Sequence, residues 1–227
     1  MFFVTGTDTG VGKTHFSCLL IRELRASGIE AVGFKPICSG DRDDAVQLAK
    51  ASDDALTINQ CNPTWMRFPA SPYTSSIIEE RPIDLQGIRN QWEQLKTRFP
   101  AVIVEGAGGW LVPIQRDYRM ADLAREMGLP VILVAANRLG VLNHTLLTVE
   151  AIRAAQLTCA GIVLNNGVAP SDTVTLTNRS ILEDLLQGSS IPILGEMEMG
   201  ATQLPASLQK NLTAQLRTKN RLPDAMP

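Results

Sequence analysis

Six short apolar runs punctuate the chain: Phe2 to Val4, Ala31 to Phe34, Ala101 to Val104, Val131 to Ala135, Gly161 to Leu164 and Ile191 to Leu194. They are unbroken rather than alternating, and mostly rich in Val and Ile. A strand covered on both faces needs that continuity, so each run predicts a strand of a parallel sheet. Between them lie longer segments with apolar residues at helical spacing. Thr14 to Ala26 sets Phe16, Leu19, Leu20 and Leu24 on one side, with Gly28 as a stop. Asp84 to Arg98, Met120 to Met127, Asn143 to Ala155 and Thr173 to Leu186 repeat the pattern, and Gly128-Leu129-Pro130 closes the third of these five helices. The alternation predicts a doubly wound α/β fold, with a mostly parallel sheet, helices on both faces and right-handed crossovers.

Two segments break this rhythm. Asn62 to Pro82 holds Pro63, Pro69, Pro72 and Pro82 with little periodicity, which predicts a long surface loop or lid. Residues 218–227 are polar and end in proline, so a disordered tail is expected after a single domain over residues 1–217.

Composition narrows the class. With 44% hydrophobic and 19% charged residues the chain reads as a soluble globular protein. A net charge of −2 and no Lys/Arg block longer than two residues give a nucleic-acid surface no electrostatic support. The longest apolar run, near Val131 to Ala136, falls far short of the roughly 20 residues of a membrane span, so no membrane partner is expected. The opening MFFVTGTDTG lacks a basic leader, so no secretory signal is expected. The four cysteines (Cys18, Cys38, Cys61, Cys159) have no paired spacing, which argues against a zinc site and suits a reduced, cytoplasmic protein. With His15 and His144 as the two histidines, a multi-histidine centre is not expected.

The segment Gly6-Thr7-Asp8-Thr9-Gly10-Val11-Gly12-Lys13-Thr14 follows the first strand and opens the first helix. Glycines there let backbone N–H groups face phosphates, Lys13 neutralises the β/γ oxygens, and the Thr14 hydroxyl suits Mg²⁺. This is a phosphate loop of the P-loop NTPase type, in variant form: strict spacing puts the first glycine at Thr7, and Gly6 is one position early. Partition-type ATPases share such a sheet and loop but carry an extra lysine two residues before Gly10, where this chain has Asp8. An acidic residue cannot neutralise a phosphate across a dimer, which weakens a nucleotide-switch reading.

Other segments gather at the same carboxyl edge of the sheet, where open α/β folds bind ligands. Lys35-Pro36-Ile37-Cys38-Ser39-Gly40 ends the second strand, followed by Asp41, Asp43 and Asp44. Glu105-Gly106-Ala107-Gly108-Gly109-Trp110 ends the third. Gly140-Val141-Leu142-Asn143-His144 begins a helix. Blander roles stand beside these: an exposed strand-end lysine for Lys35, a cap for Glu105, turn positions for Thr9 and Ser39, and an N-cap for Asn143.

Together with GTDTGVGKT, these segments resemble the dethiobiotin synthetases over residues 2 to about 200, with Asn165-Asn166 and Gly195-Glu196 in the matching order. The resemblance implies a ligase that closes a cyclic urea from 7,8-diaminononanoate, CO2 and ATP, through a carbamate and a carbamic–phosphoric anhydride. It implies that Lys13 and Lys35 flank the carbamate and γ-phosphate as catalytic cations, and that Thr14, Asp44 and Glu105 hold Mg²⁺. Asp44 is preferred to Asp43 because the Ala-Val-Gln-Leu after it matches the family's helix start. It places ATP on Gly10, Val11, Gly12, Lys13, Thr14, His15, Asp44, Glu105, Gly106, Ala107 and Gly108, with His15 a helix-surface or subunit-contact residue rather than an acid/base group. Asn165 and Asn166, with Met197, Glu198 and Met199, are implied at the adenine, Asn165 reading its edge. Thr9 and Ser39 are implied to bind the diamine or carbamate. The N–H groups of Gly140, Val141, Leu142 and Asn143 would take the substrate carboxylate from the neighbouring subunit of a homodimer.

The chain departs from the family at Gly10, where some members carry an acidic residue, at Glu198 and Met199, which replace a proline and an aromatic, and at Tyr73, where Pro-His is frequent. The alternatives are a partition-like nucleotide switch and an amidoligase, and the latter would need an ammonia-supplying domain for which the chain has no room.

Overall fold

The apolar runs become the six strands of one sheet in the computed structural model, which describes residues 1–168, 173–198, 200–210 and 212. The first half comprises β1 (Phe2–Gly6), α1 (Lys13–Ala26), β2 (Ala31–Phe34), β3 (Ile37–Ser39), α2 (Asp43–Ala51), α3 (Ile58–Cys61), β4 (Thr64–Met66), α4 (Pro72–Ile78) and α5 (Leu85–Arg98). The second half comprises β5 (Ala101–Gly109), β6 (Pro113–Gln115), β7 (Tyr118–Arg119), α6 (Met120–Met127), β8 (Val131–Ala136), α7 (Val141–Ala154) and β9 (Cys159–Asn165). A 3-10 turn (Asn166–Val168), α8 (Thr173–Leu185) and β10 (Ile193–Met197) follow.

The main sheet runs β10-β9-β8-β1-β5-β2, and every adjacent pair is parallel. Consecutive residues of β1, β2, β8 and β9 are all buried, which requires cover on both faces and accounts for their unbroken apolar runs. Starting from β1, the chain builds towards β2 and β5 on one side, then crosses to β8, β9 and β10 on the other. The order reverses at β1, so the loop after β1 opens into the crevice between the two halves.

Caps explain the helix limits. Gly12 (φ 95°) precedes α1, Gly128 (φ 64°) ends α6, and the Asp84 carboxylate accepts from Gly87 N–H at 2.8 Å to start α5. Gly140 (φ 93°) caps α7, so Asn143 lies inside that helix and the N-cap role is corrected.

The segment expected as a loop, Asn62 to Pro82, instead contains β4 and α4. β4 pairs in parallel with β3, and Ser71 accepts from Thr74 N–H while Pro72 takes the first helical turn. The β6–β7 pair, antiparallel, is also additional to the expected elements. The tail at 218–227 and Met199 lie outside the described residues.

Candidate active site

The loop between β1 and α1 wraps back on itself through two left-handed glycines, Gly10 (φ 72°) and Gly12 (φ 95°). Gly12 is required twice over: a Cβ there would lie 2.1 Å from Asn165 Nδ2. Thr7 N–H donates to Val134 O at 3.1 Å and ties the loop's start to β8. Lys13 is 6% exposed, and its Nζ donates to the Asp8 carbonyl at 2.9 Å. Burial, with the Lys35 ammonium adding to it, lowers the Lys13 pKa to about 8 against the opposing pull of Glu105, Asp44 and Asp8.

At the second residue of α1, the Thr14 hydroxyl lies 2.7 Å from Asp44 Oδ1 and 2.8 Å from Glu105 Oε1. Lys35 Nζ donates to Asp44 Oδ2 at 2.7 Å, to Glu105 Oε1 at 2.6 Å and to Gly106 O at 3.3 Å. Lys35 is 3% exposed and Glu105 fully buried, so neither plays the surface or capping role that was open for it. The backbone of Lys35 is pinned as well: its N–H donates to Cys61 O and its carbonyl accepts from Asn62 Nδ2. Burial works against the charge on Lys35, but Glu105 and Asp44 outweigh it and hold the ammonium above its ordinary range. Asp44 is likewise opposed by burial, and Lys35 and Thr14 pull it below the usual carboxylate range. Asp44 is the aspartate drawn into this cluster; Asp43, beside it in α2, is exposed.

Among the described residues no cluster of three or more His, Cys, Asp and Glu side chains could hold a metal. The donors here are one hydroxyl and two carboxylates, an all-oxygen set that suits a hard cation completing its shell with water and phosphate oxygens. Glu105 Oε2 is buried and lacks a hydrogen-bond partner among the described residues, so it has a lone pair to give. The residues fit Mg²⁺.

A cleft of about 770 Å³ opens over this cluster. It brings together Thr9, Gly10, Gly12, Lys13, Thr14, His15, Lys35, Ser39, Asp44, Ala107 and Gly108 from the expected set. Ser39 Oγ and His15 Nε2 are buried without partners among the described residues. Glu105 lies beneath the wall, Gly106 contributes its carbonyl, and Val11 is buried in the core at 1% exposure.

Asn165 sits against the phosphate loop, with Nδ2 donating to Val11 O at 2.9 Å. Asn166 donates to Glu196 Oε2 at 2.9 Å and Glu198 Oε1 at 2.7 Å, and Met197 is fully buried. Gly140 to Asn143 are not on the cleft wall.

The cleft is also lined by residues given no site role from the sequence: Cys38 and Asp41 from the expected carboxyl edge, Gln47, Val112, and the strap Pro69-Ala70-Ser71-Pro72 from the segment expected as a loop or lid. Pro69 packs on Gly40 (φ 88°), where a Cβ would lie 3.1 Å from Pro69 Cβ. The Ser71-Pro72-Tyr73-Thr74 capping sequence was the signal that could have revealed α4.

A family described as an AAA domain matches residues 1–203. An ATP-dependent dethiobiotin synthetase BioD from Akkermansia muciniphila is 45% identical over 199 residues, which cover 88% of this chain and 92% of that one. The chain belongs to the ATP-dependent dethiobiotin synthetases. A second member, from Aromatoleum aromaticum, is 39% identical and spans 93% of this chain and 96% of its own.

Solved structures show how widely this synthetase fold is shared. The cell division ATPase MinD of Pyrococcus furiosus matches with a TM-score of 0.59 at 14% identity, covering 94% of this chain and 98% of that one. The pNOB8 ParA bound to nonspecific DNA matches with a TM-score of 0.55 at 10% identity, covering 96% and 99%. These likenesses speak for the doubly wound fold alone. The dethiobiotin synthetases are ATP-dependent ligases of biotin biosynthesis, and in this member none of the described helices is long and apolar enough to cross a membrane.

Proposed function

We propose that this synthetase joins 7,8-diaminononanoate and CO2 into the ureido ring of dethiobiotin through a carbamate and a carbamic–phosphoric anhydride. One observation carries the reading: two buried lysines, Lys13 and Lys35, line one cleft with Thr14 and Asp44, and Glu105 lies buried beneath them, bonded to Lys35 and Thr14. A neutral amine of the diamine bonds to the carbon of CO2 and loses a proton, leaving a carbamate. A carbamate oxygen then bonds to the γ-phosphorus as the β,γ-bridge breaks and ADP departs. The second amine attacks the carbamoyl carbon, the C–O bond to phosphate breaks, and the amine proton is lost as the ring closes.

The difficulty in the middle step is that both reactants are anions. In this reading Lys13 would turn from the Asp8 carbonyl to the β/γ oxygens, and Lys35, which lines the same cleft, would meet the carbamate. Two cations in a buried setting lower the repulsion far more than they would in water. Thr14, Asp44 and Glu105 would hold Mg²⁺, which supplies further neutralisation of the phosphate oxygens when bound. The remaining requirement is positioning, which suits phosphoryl transfer with little covalent participation by the protein.

Ser39, with its unpartnered hydroxyl, and Thr9 are placed to hydrogen-bond the diamine or its carbamate. The N–H groups of Gly140, Leu142 and Asn143 at the start of α7 suit the substrate carboxylate, whereas that of Val141 donates to Arg138 O at 3.0 Å. Their position off the wall of their own cleft supports delivery from a second copy, and hence a homodimer with shared sites. Asn165, whose amide bonds the phosphate loop at Val11 O, is the residue this reading assigns to the adenine edge. The test is carbon label from bicarbonate: it enters a urea product only when diamine and ATP are both present. Nucleotide hydrolysis with no labelled product would identify a switch instead.

A further inference from the structure

Asn137, just beyond β8, is 1% exposed, and no pattern in the sequence singles it out. Its backbone N–H donates to Asn165 O at 2.9 Å. Its Nδ2 donates to Asn166 Oδ1 at 2.7 Å and Thr175 O at 2.9 Å, and its Oδ1 accepts from Asn178 Nδ2 at 2.8 Å. Asn178 is itself 3% exposed. The two amides of Asn137 and Asn166 read in one direction only. Thr175 O can only accept, so Nδ2 of Asn137 must face it; Glu196 and Glu198 present carboxylates, so Nδ2 of Asn166 must face them. Asn166 is thereby an anchor for the turn. Its neighbour Asn165 points the other way, accepting from Gly167 N–H at 3.0 Å and donating to Val11 O at 2.9 Å.

These bonds form one path from the core to the phosphate loop. Thr7 N–H on Val134 O ties the loop's start to β8, and Asn137 at the end of β8 holds the turn after β9 from below. Asn165 then meets Val11 and Gly12 at the loop's last bend, close enough that no side chain could be added at Gly12. We propose that Asn137 is a positioning residue for nucleotide binding. By fixing the Asn165–Gly167 turn it keeps Asn165 seated on the Val11 carbonyl, and so holds the phosphate loop in its binding shape. The inference rests on the reading that this loop carries ATP.

The test is Asn137→Asp in the full chain. The aspartate keeps the acceptor for Asn178 but sets a carboxylate oxygen against the Asn166 and Thr175 oxygens. The expected result is a KM for ATP and a Kd for ADP raised about tenfold, with the KM for diamine and the kcat at saturating ATP essentially unchanged. A lower unfolding midpoint with an unchanged KM for ATP would show a merely structural role and overturn the proposal. Where Asn137→Asp does not fold, Asn178→Ala, which removes one bond to Asn137, is expected to raise the KM for ATP about threefold, and no change overturns the proposal. The wild-type chain and Lys13→Ala separate the two layers. If the wild type fails to bind ADP, or Lys13→Ala binds it equally well, the reading of the phosphate loop is wrong; if both controls behave, a normal Kd in Asn137→Asp defeats this inference alone.

Discussion

Lys35 Nζ lies 2.6 Å from Glu105 Oε1, joining the residue after β2 to the middle of β5 in a fully desolvated ion pair. A charge pair so placed is weak evidence of stabilisation, because desolvation offsets much of the attraction; removing one partner, however, strands the other. The pair serves the site, holding a cation and a carboxylate at the cleft floor.

The first prediction follows from that asymmetry. Lys35→Ala is expected to lower turnover by about three orders of magnitude or more, since a cation aimed at developing charge is lost. It should also cost about 3 kcal/mol of stability by leaving Glu105 buried and unpaired. Lys35→Met combined with Glu105→Gln should regain part of that stability and none of the activity. Steady-state turnover and urea denaturation of both variants check this, and wild-type-like turnover in Lys35→Ala would remove its assigned role.

Lys13 gives a pH prediction. Burial sets its pKa near 8 in the free protein, and a bound triphosphate must raise it. Near and above pH 8 ATP binding should therefore take up protons, and affinity should fall as pH rises. Calorimetry in buffers of different ionisation heat reads the uptake directly. The stability sign is opposite to that of a favourable ion pair. A lysine whose folded pKa lies below its ordinary 10.5 penalises the fold while charged, and the penalty fades as pH rises from about 8 to 10.5.

Asp44 separates metal binding from folding. Its side chain is 42% exposed and its loss leaves Lys35 paired with Glu105, so Asp44→Asn should lower the unfolding midpoint less than Lys35→Ala does. The Mg²⁺ concentration for half-maximal turnover should rise by about tenfold or more if, as proposed, Asp44 and Glu105 are the two carboxylates that hold the ion. A Mg²⁺ titration of activity with the matching melting curve decides it, and an unchanged Mg²⁺ requirement would exclude Asp44 as a ligand.

Gly12→Ala should be more damaging than any other single methyl in the loop. The added carbon meets Asn165 Nδ2 and must adopt a left-handed φ, a strain of about 1–3 kcal/mol. Loss of ADP binding by calorimetry is expected, whereas Gly10→Ala, with open space around its Cβ, should suffer the backbone strain alone and retain weak binding.

Much of this architecture was legible because it depends on local signals. Unbroken apolar runs marked all six sheet strands, and α6 matched its expected limits, Met120–Met127, because Gly128 stops it. The phosphate loop announced itself through Gly10, Gly12 and Lys13. The strap over the cleft was legible as a proline-rich loop or lid but not as β4 and α4, since these elements are too short for periodicity and depend on pairing such as Ile37 with Thr64. Lys35 was legible as a candidate but not as a buried one; its backbone is held by Cys61 and Asn62 and its ammonium by Asp44, Glu105 and the Gly106 carbonyl, most of them distant in sequence. Asn137 was invisible for the same reason, because its partners come from β9, α8 and the turn between them.

The central claim is that a carbamate oxygen attacks ATP on the cleft floor, and oxygen label tests it most directly. With ¹⁸O-labelled CO2 supplied faster than it exchanges with water, the anhydride forms through a labelled oxygen, and ring closure breaks the C–O bond. Each phosphate released with dethiobiotin should then carry one labelled oxygen. Phosphate free of label, formed at the same rate as the ring, would contradict the account.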